Sequence, residues 1–125
     1  MLLPIAFLIA VAVDAPPAAV PTGEVGYAKG SLAFDSLSAG DYATAEIQLL
    51  RATPREREDS AWLINYGRLM EHKGRLAEAE SAFLRAAILD DGELVLADGR
   101  EVTARVAART ALANLRRTIS VTASR

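Results

Sequence analysis

An all-α chain, two helix-turn-helix units followed by a covering helix, is what this sequence predicts, and three observations predict it. Hydrophobic residues make up 51% of the chain while aromatics reach only 6%. The apolar content is therefore mostly alanine and leucine, which favour closely packed helices over sheets. From Tyr27 onward the apolar positions take up the period of helices, and from Tyr42 they recur at steps of three and four along one face. Finally, two glycines that break this pattern stand 74 − 40 = 34 residues apart, and the thirteen residues from each of them superimpose without a gap, GDYATAEIQLLRA on GRLAEAESAFLRA.

Composition narrows the function classes. A chain of 125 residues holds one ordinary domain and buries roughly two thirds of its unfolded surface, which leaves no room for a large internal cofactor cavity. The formal net charge is -2, so no global field draws in nucleic acid or an acidic membrane. Cysteine is absent, which excludes disulfides, thiolate metal sites, a cysteine nucleophile and the lipid anchor of a bacterial lipoprotein.

Residues 2–13, LLPIAFLIAVAV, form an uncharged apolar run, too short for the roughly 20 residues of a membrane-spanning helix but of the length of an export signal. Ala10-Val11-Ala12 fits the small-x-small cleavage rule, and Val13-Asp14-Ala15 fits it loosely. No lysine or arginine stands beside Met1, so a buried N-terminal helix or strand is the alternative. Residues 1–15 are thus expected to be a signal or apolar leader and residues 16–26, with Pro16, Pro17 and Pro21, an extended linker. The helical domain is expected over 27–118 and a frayed tail over 119–125.

Within that domain, a first helix is expected over 27–39 with Leu32, Ala33 and Leu37 inward, ended by Gly40. Asp41 can cap a second helix whose Tyr42, Ala45, Leu49 and Ala52 share one face, and Pro54 follows its end. Asp59 or Ser60 can cap a third, running through Leu63, Tyr66, Gly67 and Met70 to Lys73; Gly74 turns the chain. A fourth carries Leu76, Ala79, Phe83 and Ala86 inward and closes at Asp90-Asp91-Gly92. Gly67, Ala79 and Ala86 let backbones approach closely, while Tyr66 and Phe83 fill the remaining space. Residues 94–96 and 101–103 can pair as a hairpin across Asp98-Gly99, but Asp98 with Glu101 also forms a capping box, and the helical reading is preferred. From residue 100 to about 118, Ala104, Ala108, Ala111, Leu112, Leu115 and Ile119 then share a face that can cover the last unit.

The 34-residue period resembles the tetratricopeptide repeat family. Gly40, Tyr42, Ala45 and Leu49 fall on its packing positions in a first repeat, and Tyr66, Gly67, Gly74, Ala79, Phe83 and Ala86 in a second; Ala33 stands where the family carries glycine. The resemblance covers residues 26–91 and implies a short right-handed α-solenoid. It also implies a role, binding a peptide or partner helix in the concave groove. By the same resemblance that groove would be lined by Tyr27, Phe34, Leu37 and Ser38 and by Ala61, Ile64, Arg68, Glu71 and His72. Gly30 and Phe34 occupy places where chaperone-binding members carry lysine and asparagine, so a chaperone tail is not the expected partner.

Chemistry finds little to use. One histidine, no phosphate-binding glycine loop and no metal-ligand spacing leave no catalytic residue, cofactor or metal to predict. The expectation is a non-catalytic, exported, periplasmic adaptor in a bacterial envelope assembly, binding protein rather than nucleic acid. Two alternatives stand beside it. Arg105, Arg109 and Arg116 form a stripe that could meet anionic lipid or phosphate, with no membrane contact predicted otherwise. The repeat faces could also pair in a structural homo-oligomer.

Overall fold

The computed structural model describes residues 8–9, 27–90, 92–96 and 98–124. The expected cleavage sites, the proline-rich stretch 16–26 and Asp91 lie outside them. Among the described residues the chain is mostly helical, with five α-helices and one small antiparallel sheet. The sheet corrects the all-α expectation.

The first helix, α1 (Phe34–Ala39), is half the length expected. Gly30 (φ 83°) and Ala33 (φ 56°) both adopt left-handed backbone, and a right-handed helix cannot extend back through them. For alanine that conformation costs about 1–2 kcal/mol, and the wholly buried Ala33 side chain is what it sets in place. Gly40 (φ 74°) turns the chain into α2 (Tyr42–Leu50). Asp41 caps it as expected, accepting from the Thr44 amide at 3.1 Å. The open carbonyls at its far end are met by Arg57, whose guanidinium donates to Leu50 O at 2.7 Å and Ala52 O at 3.1 Å.

α3 (Ser60–His72) is the centre of the molecule. Asp59 caps it, accepting from the Ala61 and Trp62 amides at 2.8 and 3.2 Å, and the same carboxylate accepts from the Tyr27 hydroxyl at 3.0 Å. One side chain thus starts the helix and ties down the strand of chain before α1. The buried polar groups of α3 find partners across the core. Ser60 donates to Ala86 O (3.3 Å), Trp62 Nε1 to Leu49 O (3.1 Å) and Asn65 to Leu32 O (2.9 Å). Gly74 (φ 76°) turns into α4 (Leu76–Leu89), which lies along α3 with the Phe83 ring seated over Gly67.

Residues 93–103 form the hairpin that was not preferred, β2 (Glu93–Leu96) with β3 (Glu101–Thr103), in the register Leu94 to Val102 and Val95 to Glu101. Two physical reasons decide it. The Asp98 carboxylate accepts from the Arg100 amide at 3.0 Å and from its Nε at 2.7 Å, so it closes a turn instead of capping a helix. Leu94, Val95 and Leu96 are all buried, the signature of a strand covered on both faces. What covers the second edge of β2 is β1 (Leu8–Ile9), antiparallel to it, with Leu8 opposite Leu96 and Ile9 opposite Val95. Two residues of the apolar run, Leu8 and Ile9, therefore pair as a strand.

The last helix, α5 (Ala104–Ala123), begins later than expected and runs past residue 118 into the expected tail. Thr103 caps it at 3.2 Å from the Val106 amide. Its alanine and leucine face is buried along α4, as the sequence predicts, with Ile119 half-buried at the end.

Candidate interaction site

The residues expected to line a groove divide into two sets. Tyr27 spends its hydroxyl on Asp59. Leu37 and Ala61 belong to the core, and Ile64 exposes 0% of its surface. Ile64 on α3 and Leu37 on α1 are packing residues of one buried cluster that also takes in residues of the other helices and of β2. Phe34 is half-buried in the first turn of α1, and Ser38 is exposed.

The second set comes together at the end of α3. Arg68 and Glu71 pair at 3.4 Å, with side chains 15% and 19% exposed. Burial pulls the Arg68 pKa down, and the Glu71 carboxylate and Tyr42 pull the other way; the guanidinium stays charged throughout. One turn on, the His72 ring stacks on Tyr42 of α2 with centroids 3.6 Å apart. Lys73 bridges to Glu46 of α2 at 2.6 Å. The result is a patch where a half-buried ion pair adjoins an aromatic stack. Tyr42 was expected only as a packing residue, and its role in the stack follows from the turn at Gly40, which brings the start of α2 alongside the end of α3.

The arginine stripe is largely engaged. Arg105 pairs with Asp90 at 3.1 Å, and Asp90 also accepts from the Arg105 amide at 3.1 Å. Arg116 pairs with Glu80 of α4 at 3.4 Å. Arg109 is exposed. Such surface pairs stabilise by at most about 1 kcal/mol, but they direct two of the three charges onto the protein itself.

One feature of α4 was missed. Ala77, Ser81, Leu84 and Ile88 follow at steps of four, three and four along a second face and line a shallow cleft with Glu80 and Arg85. Ile88 is 80% exposed. The spacing was there to be seen, but the stronger inward stripe of the same helix hid it.

No family model, curated protein or solved structure matches the chain. Among the described residues, no three His, Asp or Glu side chains are grouped to hold a metal ion, and no helix is long and apolar enough to cross a membrane. The Tyr42, Arg68, Glu71 and His72 patch sets a charged pair with remaining donor and acceptor capacity beside an aromatic surface.

Proposed function

We propose that this chain is a tetratricopeptide-like, non-catalytic adaptor that binds a protein or peptide partner at the α3 side of its two helical hairpins. The observation that carries it is the Arg68 and Glu71 pair set beside the Tyr42 and His72 stack. A pair at 15% and 19% exposure is desolvated enough to matter energetically when a partner covers it, and accessible enough to be covered. The repeat reading is supported by the 34-residue offset, by left-handed glycines at both turns and by the seating of Phe83 on Gly67. Export to the periplasm, within an envelope assembly, is part of the same proposal and rests on the leader sequence. Pairing of Arg105 and Arg116 leaves the anionic-surface alternative with less support.

A photo-crosslinker placed at the exposed His72 in the producing cells tests the reading. It should trap a discrete partner, and Phe34→Ala or Arg68→Gln in the same chain should reduce the trapped band at least tenfold with helical circular dichroism unchanged. Equal trapping by both variants would sink the proposal.

A further inference from the structure

We propose that the edge of β2 is a strand-accepting surface for an uncharged apolar extended segment of a partner protein, and that the chain's own Leu8–Ile9 occupies it in cis. This goes beyond the preceding reading to a second surface, and it names the chemistry of what binds there and what regulates access.

Four observations lead there. β2 is the middle strand of the sheet, between β1 and β3. Its Leu94, Val95 and Leu96 are 4%, 7% and 6% exposed, a run of three apolar residues that needs cover on both faces and on both edges. β3 follows β2 directly through a tight turn, whereas β1 reaches it from the far end of the sequence and lies against α3 as well. Among the described residues the seated segment pairs through Leu8 and Ile9, and such strand pairing is read chiefly through main-chain hydrogen bonds. Any uncharged strand of similar apolar character can reproduce those.

The sequence around Leu8–Ile9 adds the regulation. Residues 2–13 contain no charge and have the character of an export signal. The same residues cannot both be removed as a signal and cover β2. A chain that retains them holds its edge filled, and a chain that has lost them presents unpaired N–H and C=O groups beside buried aliphatic side chains, the template that strand addition uses. Processing would thus convert a closed protein into a strand acceptor.

The test uses the full chain and a fluorescent synthetic peptide of residues 2–13 with three lysines appended for solubility. A double variant, Leu8→Pro with Ile9→Pro, removes both amide donors of β1. Fluorescence anisotropy should show the variant binding the peptide at least tenfold more tightly than the unaltered chain, whose occupied edge lowers its competent fraction. A peptide carrying the same two prolines should bind neither chain. Equal affinity of the two chains, or equal binding of the proline-bearing peptide, overturns the proposal.

Should the double variant lose its helical circular dichroism, the unaltered chain with a protease site inserted between residues 16 and 26 serves instead. After cutting, the released leader should exchange for the labelled peptide, and failure to exchange overturns the proposal equally. A doubling of mass in light scattering with no peptide binding would make a second copy the donor and also overturn it. The two readings fail separately. Peptide exchange with no His72 crosslink removes the patch at the end of α3 and keeps the strand acceptor; a crosslink without peptide exchange does the reverse.

Discussion

Gly67→Ala should destabilise the protein by about 1–3 kcal/mol, the usual cost of overpacking a close-packed core, although alanine is the better helix former. In an exposed helix interior the same change would stabilise by about 1 kcal/mol. Here a Cβ at position 67 would stand 2.5 Å from Cε1 of Phe83, 2.8 Å from Cδ1 and 3.0 Å from Cζ. Those are ring atoms of a side chain with no exposed surface, so the ring has nowhere to retreat, and α3 and α4 must separate. Urea denaturation of the two proteins reads the difference directly. A neutral or stabilising alanine would show that the two helices do not meet at this point.

Phe83→Ala should cost more, about 3–5 kcal/mol, a large share of the roughly 5–15 kcal/mol that holds a domain folded. The ring lies between α3 and α4 in the core shared with α5, and its removal leaves a cavity that the surrounding alanines are too short to fill. The loss should appear as a lower urea midpoint with an unchanged slope. The two substitutions are also coupled, because the space that Phe83→Ala opens is the space that Gly67→Ala needs. In a double-mutant cycle the pair should destabilise by at least 1 kcal/mol less than the sum of the singles. Additive effects would contradict the observed contact.

Much of this core was legible from residue types and spacing. Asp41 and Asp59 as caps, Gly40 and Gly74 as turns and the buried face of α5 all follow from local rules, because each depends on residues a few positions apart. What escaped depended on distant residues or on one side chain choosing between two local uses. Asp98 could cap a helix or close a turn, and the balance was tipped by burial of Leu94 to Leu96 against elements remote in sequence. Ala33 gave no sign of its left-handed backbone, since alanine is the residue least expected there. At the candidate site, Arg68, Glu71 and His72 could be placed on one helix from sequence, but the stacking of Tyr42 on His72 required the path of the chain through Gly40. Ile64 looked like a groove residue because the resemblance put it there, whereas it is wholly buried in the core.

The hydrogen bond from Tyr27 to Asp59 spans 32 residues, and it has a consequence for the order in which the molecule opens. α4 packs along both α3 and α5 through long faces, whereas α1 and α2 touch each other, and α2 touches α3, over far shorter stretches. Fluctuations should therefore release the amino-terminal hairpin as a unit while the other three helices stay assembled, and Asp59 is one latch between these two parts, beside the bonds of Trp62 to Leu49, Asn65 to Leu32 and Lys73 to Glu46. In native-state hydrogen exchange the amides of α1 and α2 should lose protection together and well before those of α3 and α4. Tyr27→Phe should speed the first group and leave the second unchanged. Uniform exchange across all the helices would mean that the latch divides nothing, and that the chain opens in a single step.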